Sequence, residues 1–205
     1  MKSGIHINYD CISFDILKAP VLGFIHSFSL ICSFLSEQNR IIISMEKYER
    51  PTWDEYFSRM VDAVAQRATC DRGRAGCVIV KEKQILVTGY VGSPKGLPHC
   101  DDVGHLFKKV IHSDGKQTQH CVRTVHAEQN AITQAARRGI SLEGSTLYVR
   151  MTPCRTCSML IINTGIERVV CQKKYHAANE SEDMLKEAGI RLDYLSEELL
   201  EYEGQ

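Results

Sequence analysis

Apolar residues recur at helical and then at strand-like intervals from Thr52 onward. Residues at spacings of three and four predict an amphipathic helix that ends at about Gln66; these are Trp53, Tyr56, Phe57, Met60, Val61, Val64 and Ala65. Thr52 and Glu55 have the spacing of a capping box, so the helix is expected to begin after Thr52. Two short apolar runs, 77–80 and 85–88, flank a charged tripeptide, which predicts a β-hairpin.

The second half of the chain alternates between helical and strand-like segments. In order, the predicted elements are helix His126–Arg138 capped by Gly139, strand Ser145–Val149, helix Cys154–Asn163, strand Arg168–Cys171, helix Ser181–Ala188 and strand Ile190–Tyr194. Such alternation implies crossover connections, parallel strands and helices on both faces of the sheet. We therefore expect an α/β fold, a three-layer α/β/α sandwich with a mixed five-stranded sheet.

Between these halves lies a long segment, from about Gly89 to Val125, without a sustained period. It contains glycines, prolines and four of the eight histidines. Unpatterned segments of this length in compact domains are usually functional or are organised by a ligand. A metal ion is one candidate for that role.

Residues 1–44 differ from the rest of the chain. Their apolar stretch, Ala19–Leu35, is interrupted by polar residues and is at the lower limit of length for a membrane helix. A targeting or anchoring role is one interpretation. We favour another, in which the functional chain begins at Met45, a single domain spans 45–195 and a helical tail spans 196–205.

Composition excludes some classes of partner. The 205 residues include 25 Lys and Arg against 25 Asp and Glu, so no overall positive field recruits nucleic acid. We expect no nucleic-acid partner and no membrane partner. Nine cysteines without a clear secretory signal, several at metal-like spacings, favour a reducing compartment, hence the cytoplasm.

The main chemical signal is His126-Ala127-Glu128 followed by Pro153-Cys154-Arg155-Thr156-Cys157. One His and two Cys are ligands that Zn²⁺ prefers, and three protein ligands leave a fourth position open. Glu128 beside that position can act as general acid and base. The pattern predicts metal-assisted hydrolysis, with His126, Cys154 and Cys157 holding the metal and Glu128 catalytic.

The spacing suggests how these ligands meet. Cys154 and Cys157, three residues apart at a helix start, lie on one face, where the helix dipole also favours thiolates. His126 and Glu128 are two apart, but side chains of a first turn lean toward the N-terminus and can converge in front of it. The site is therefore expected between two helix starts.

A second set of soft ligands remains in the long segment. Cys70, Cys100, His105 and Cys121 can be interpreted as a second, structural zinc site that orders this segment. The alternative is that they are scattered buried thiols and surface imidazoles.

Several stretches resemble a known family. The zinc motifs match the signature of zinc-dependent base and nucleotide deaminases. Four further stretches resemble deoxycytidylate deaminases of the bacterial and phage type, within the cytidine deaminase-like superfamily; these are Thr88-Gly89-Tyr90, Gly92-Ser93-Pro94-Lys95-Gly96, Cys121-Val122-Arg123-Thr124-Val125 and Lys174-Tyr175-His176. The resemblance covers about residues 51–195.

The resemblance implies hydrolytic deamination of dCMP to dUMP and ammonia. Activated water would attack C4, while Glu128 would protonate N3 and assist departure of the amine. It also implies that the backbone N–H at Ala127 holds the base carbonyl and that Tyr175 borders the substrate. Arg123 is a candidate for the 5′-phosphate, although a structural ion pair is an equal alternative. An extra zinc, a homo-oligomer and regulation by dCTP and dTTP are further implications.

One position departs from the family pattern. Val91 stands where such enzymes commonly have Asn after Gly-Tyr, and valine makes no side-chain hydrogen bond to a sugar. Two alternatives therefore stay open: a deaminase of another base, nucleoside or nucleotide, and a zinc-stabilised, competence-related binding module. Glu128 favours an enzyme, because a structural zinc has no use for a free carboxylate.

Overall fold

A computed structural model describes residues 48–111, 117–175 and 178–200. The residues from Arg50 onward form one compact unit. The segment 1–44 and the predicted start at Met45 lie outside the described residues. Within the described part, no helix combines the length and apolarity needed to cross a membrane.

In chain order the elements are α1 (Trp53–Ala65), β1 (Gly76–Lys81), β2 (Gln84–Tyr90), α2 (Cys100–Val103), β3 (Phe107–Ile111), β4 (Gln117–Cys121), α3 (Ala127–Arg138), β5 (Thr146–Met151), α4 (Arg155–Asn163), β6 (Arg168–Tyr175), α5 (Asn179–Glu187), β7 (Arg191–Tyr194) and β8 (Leu199–Leu200). Five strands form the main sheet, in the order β2-β1-β5-β6-β7, and the two-residue strand β8 pairs with β6. Strand β1 is antiparallel to β2 and β5, whereas β5, β6 and β7 are parallel. The predicted mixed sheet is confirmed.

Alternate residues of β1 divide the core into two layers. Val78 points into a small cluster beneath α1, with Phe57 and Val61. Cys77 and Ile79 belong to a larger cluster on the other face, which α3, α4 and α5 cover. Because successive side chains of a strand face opposite sides, the buried strand separates two helical layers. The α/β/α sandwich predicted from the sequence is confirmed.

Local signals set several boundaries correctly. The amide of Glu55 donates to the Thr52 hydroxyl at 3.3 Å, and the amide of Thr52 donates to the Glu55 carboxylate at 2.7 Å, so the capping box is formed. The first hairpin turns through Glu82 and Lys83 with φ of 52° and 63°. Two residues with positive φ match the right-handed twist of the flanking strands.

Two segments differ from the sequence-based expectation. The unpatterned segment contains a second hairpin, β3 and β4, in a sheet of its own. Its described strand residues are mostly exposed, so no buried face imposed an alternating pattern on the sequence. The helical tail is wrong for 196–200, because the Lys174 amide donates to the Glu198 carbonyl and Leu199–Leu200 add to β6 instead. Residues 201–205 lie outside the described part.

An ion-pair network joins α1 to the parallel strands. The Arg168 guanidinium donates to both oxygens of Asp54, at 2.9 and 2.8 Å, and its Nε donates to Asp193 at 2.6 Å. The Tyr148 hydroxyl also donates to Asp54, at 2.8 Å. These hydrogen bonds, chiefly those from Arg168, lower the pKa of Asp54 below its ordinary 3.8.

Replacing Asp54 is expected to destabilise the fold in a pH-dependent way. Asp54→Asn should lower the free energy of unfolding by about 2 kcal/mol at pH 7, since the network loses charge-assisted hydrogen bonds. Because the folded pKa lies below 3.8, the contribution of Asp54 is complete above that pH and is lost as the pH falls further. Urea unfolding of both proteins at pH 7 and at successively lower pH would measure this. Asp183→Asn, at an exposed position of α5, is the control, and a difference for Asp54→Asn that does not shrink in acid would contradict the assignment.

Candidate active site

The side chains of His126, Cys154 and Cys157 converge on one point. Nδ1 of His126 lies 3.5 Å from the sulfur of Cys154 and 3.5 Å from that of Cys157. Their three ligand atoms lie within 4.8 Å of one another. One imidazole nitrogen and two sulfurs at these distances form a donor set suited to Zn²⁺.

Two helix starts bring these ligands together. His126 is the N-cap of α3 and Cys154 the N-cap of α4, and both have extended backbone geometry. The His126 amide donates to the Gln129 side chain at 3.1 Å, which fixes the backbone of the ligand. Cys154 follows the end of the central strand β5, where the chain turns into α4. The three candidate ligands therefore meet at two helix starts, as their spacing in the sequence suggests.

Hydrogen bonds within the cluster shift the pKa values of the three candidate ligands in different directions. The bond to Cys157, followed by that to His126, lowers the pKa of Cys154 to about 4. The thiolate of Cys154 in turn raises the pKa of His126 to about 9. Hydrogen bonding to Cys154 and burial raise the pKa of Cys157. Protons therefore occupy the cluster in the absence of metal, and a bound cation would displace them.

Glu128 lies in the first turn of α3, beside the three ligands, and only 7% of it is exposed. Burial raises the pKa of its carboxyl, while the nearby His126 opposes that shift. It is not part of the three-residue donor set. A buried carboxyl next to a ligand set with an open position can exchange protons with whatever occupies that position.

A cavity of about 580 Å³ opens at this cluster. Its volume falls in the range of roughly 300–1,000 Å³ that is typical of small-molecule sites. Tyr175 and Val91 line it, together with His126, Glu128 and Cys154.

The other two substrate-binding candidates do not line this cavity in the described structure. Ala127 is fully buried at the start of α3, and its carbonyl accepts a hydrogen bond from the Cys77 thiol at 3.2 Å. Arg123 donates from Nε to the Gly104 carbonyl at 3.0 Å. That contact is a structural hydrogen bond to the main chain and differs from the ion pair considered as the alternative for Arg123.

The second set of soft ligands is also assembled. The ligand atoms of Cys70, Cys100, His105 and Cys121 lie within 4.8 Å of one another. Nδ1 of His105 is 3.7 Å from the Cys70 sulfur, and the sulfurs of Cys100 and Cys121 are 3.6 Å apart. Scattered thiols and imidazoles would not converge in this way, and three Cys with one His form a complete tetrahedral zinc set. We call these four residues the second cluster.

Contacts around the second cluster orient His105 and shift the pKa values of the thiols. Nε2 of His105 lies 3.1 Å from the Asp71 carboxylate, so Nδ1 faces the sulfurs, an arrangement common for metal-binding histidines. Burial raises the pKa of the Cys121 thiol, but bonds from the backbone of Arg123 and Leu106 and from His105 outweigh it and lower the pKa to about 7. Burial raises the pKa of Cys100 to about 12.

Sequence reasoning missed two residues that line the cavity, Arg72 and His120. Each is next to or near a ligand of the second cluster, since Arg72 follows Cys70 by two and His120 precedes Cys121. That proximity was the only indication in the sequence that Arg72 and His120 could lie at the cavity. It becomes informative only because Cys70 and Cys121 of the second cluster line the cavity.

Fold and site together define a class. Three ligands with an open fourth position and a free carboxylate belong to catalytic zinc sites of hydrolases, whereas structural sites are closed by four ligands.

Comparison with known proteins gives the family. Residues 51–173 match the model of the cytidine and deoxycytidylate deaminase zinc-binding region. Deoxycytidylate deaminase of Saccharomyces cerevisiae is 38% identical over 147 residues, which are 72% of this chain and 46% of the yeast protein. ComE operon protein 2 of Bacillus subtilis is 34% identical over 145 residues, 71% of this chain and 72% of that protein. The crystal structure of dCMP deaminase from cyanophage S-TIM5 in complex with dCMP and dUMP superposes with a TM-score of 0.57, at 25% identity, over 72% of this chain and all of the phage chain.

The chain belongs to the cytidine and deoxycytidylate deaminase family. It spans less than half of the length of the yeast relative. Zinc is the metal of this family, and both clusters offer donors that suit it.

Gly89 allows α3 to pack closely against β2. A Cβ at this position would overlap the Ala127 carbonyl oxygen and lie 2.5 Å from the Ala131 amide. Gly89→Ala is therefore expected to displace the first turn of α3, which carries His126 and Glu128. We expect a loss of stability of about 1–3 kcal/mol from overpacking and at least a roughly tenfold loss of affinity at the catalytic zinc site. Chemical denaturation and competitive zinc titration would measure the two effects.

Gly76→Ala is the matched control. A Cβ at Gly76 would lie 2.7 Å from the backbone of Ala65 and of Val61, beneath α1 on the other face. It should destabilise the fold similarly and leave zinc affinity unchanged. Equal losses of zinc affinity in both variants would show that Gly89 has no particular link to the site.

Proposed function

We propose that this protein catalyses the hydrolytic deamination of dCMP to dUMP and ammonia. One observation carries the proposal: the buried Glu128 carboxylate stands beside a three-ligand zinc set, in a cavity large enough for a small molecule. The similarity to deoxycytidylate deaminases and to a phage enzyme solved with dCMP and dUMP supports this choice of substrate.

A zinc ion held by His126, Cys154 and Cys157 would supply Lewis-acid activation of a water molecule at neutral pH. Glu128 takes a proton from that water and delivers it to N3 of the cytosine ring as the water oxygen bonds to C4. It then moves the second proton to the exocyclic amine, the C4–N bond breaks and ammonia leaves with a carbonyl formed at C4. The low exposure of Glu128 keeps bulk water from competing for these protons.

Val91 bears on which substrate is preferred. Its side chain lines the cavity and offers no hydrogen bond, so recognition of the sugar depends on other groups. A parallel assay with dCMP, CMP, deoxycytidine and cytosine would identify the preferred sugar and phosphate state. Inactivity toward all four would instead favour the alternative of a competence-related binding module.

Replacing Glu128 tests the mechanism. Glu128→Gln keeps the size and removes proton transfer, so the rate of ammonia release from dCMP should fall by roughly a hundredfold to ten-thousandfold. Metal analysis should find the zinc content unchanged, because Glu128 is not a ligand in the proposed site. Wild-type rates of ammonia release by Glu128→Gln would refute its catalytic role.

We also propose that the second cluster binds a structural zinc. Two zinc ions per chain are expected by elemental analysis of the purified protein, Cys154→Ser should retain the second, and Cys100→Ser should retain the catalytic one. Cys100→Ser should lower the melting temperature more than Cys154→Ser does, because the second cluster joins distant segments of the chain. A wild-type content of one zinc per chain would rule out the second site.

We further propose a cytoplasmic location, which the free thiol state of all cysteines in the described ranges supports. A homo-oligomeric state and regulation by dCTP and dTTP stay predictions from the family resemblance.

A further inference from the structure

Arg72 is the one arginine or lysine among the described residues that line the active-site cavity. The proposed substrate carries its phosphate charge at the end of the molecule away from the reacting base. The base must lie at Glu128 and the zinc ligands, so a cation elsewhere in the cavity wall is placed for the anionic end. Guanidinium is charged at every physiological pH, and its planar fork matches phosphate oxygens.

Contacts with Gln119 and Phe107 help to orient the Arg72 side chain. Its Nη2 donates to the main-chain carbonyl of Gln119 at 2.7 Å. Its Cζ lies 5.0 Å from the centroid of the Phe107 ring, within the range of a cation–π contact. The Phe107 ring is in turn 5.0 Å from the ring of His105. The guanidinium is thus held in place from β3 and from β4.

Arg72 and both of these contacts lie two residues from a ligand of the second cluster. Arg72 itself follows Cys70 by two residues, Phe107 follows His105 by two, and Gln119 precedes Cys121 by two. These three ligands come from three separate segments, the loop before β1, the loop just before β3 and the end of β4. A metal ion that joins them would therefore also fix Arg72, Phe107 and Gln119 relative to one another.

We propose that Arg72 binds the phosphate of the nucleotide substrate and that the second cluster positions Arg72 for this contact. The proposal rests on the proposed function and adds the residue that distinguishes a nucleotide from a nucleoside. It also gives the second zinc a role in substrate selection. Phe107 is a positioning residue in this scheme.

Arg123, the candidate from sequence, provides a matched comparison. Like Arg72, it follows a ligand of the second cluster by two residues. Its Nε donates to the Gly104 carbonyl, however, and it is not among the residues that line the cavity. Removing either arginine changes the net charge equally. Only the removal of Arg72 is expected to change the recognition of phosphate.

The test compares dCMP with deoxycytidine for the wild type, Arg72→Gln, Arg72→Lys and Arg123→Gln. Arg72→Gln should raise KM for dCMP by roughly tenfold to a hundredfold, the effect of losing a charge-assisted hydrogen bond, with kcat little changed. Its kcat/KM for deoxycytidine should match that of the wild type. The KM of Arg72→Lys for dCMP should lie between those of the wild type and Arg72→Gln, because lysine keeps the charge but lacks the planar guanidinium fork. Arg123→Gln should retain the wild-type preference for dCMP.

Two results would overturn the assignment of Arg72. One is equal effects of Arg72→Gln on dCMP and deoxycytidine, or no effect on either. The other is a selective loss of dCMP recognition in Arg123→Gln alone. Failure of the proposed function is a different outcome, in which the wild type turns over neither compound. Calorimetric binding of dUMP against deoxyuridine would then still show whether Arg72 contributes to phosphate binding.

The positioning role is tested with two variants. Phe107→Leu removes the ring but no ligand, and it should raise KM for dCMP severalfold without changing kcat or the zinc content. Cys100→Ser should lose one zinc and weaken dUMP binding more than deoxyuridine binding in calorimetry. Loss of that zinc with wild-type dUMP affinity would refute the role of the cluster. If Cys100→Ser fails to fold, an unchanged KM of Phe107→Leu for dCMP refutes it instead.

Discussion

The active site depends on how closely the first turn of α3 approaches the sheet. Gly89 of β2 lies directly against the backbone of Ala127 and Ala131, where no side chain would fit. This contact places the His126 imidazole and the Glu128 carboxyl over the carboxyl end of β5, at the point where Cys154 and Cys157 begin α4. Three candidate zinc ligands and a buried carboxyl thus meet because two helices start at the same edge of one sheet.

The arrangement also explains why the site remains open. His126 and Cys154 are N-cap residues with extended backbone, and their side chains reach forward from the two helix starts to a common point. Glu128 is buried by this packing, yet it is held out of the donor set. A fourth protein ligand would turn the centre into a structural site, and the second cluster shows what such a closed set looks like in the same chain.

Residues of the second cluster and of the His126, Cys154 and Cys157 cluster line the same cavity. The β3–β4 hairpin buries little apolar surface of its own, and its described strand residues are largely exposed. Two-stranded hairpins are marginal without such support. Soft ligands from the hairpin and from the loop before β1 replace the missing core, and the same link places Arg72 at the cavity.

The sequence by itself determined the layers, the order of most elements and the candidate zinc ligands, because these depend on local spacing. The capping box at Thr52 and Glu55, the alternation of helices and strands, and the three-residue separation of Cys154 and Cys157 each act within one or two turns of chain. The tertiary structure alone decided what depends on distant segments meeting. It turned Arg123 toward the Gly104 carbonyl, brought Arg72 to the cavity, formed the β3–β4 hairpin and paired Leu199–Leu200 with β6. Arg123 and Gly104 are 19 residues apart, and Arg72 and Gln119 are 47 residues apart. Contacts over such separations leave no periodic pattern in the sequence, since only the packing of the whole domain selects them.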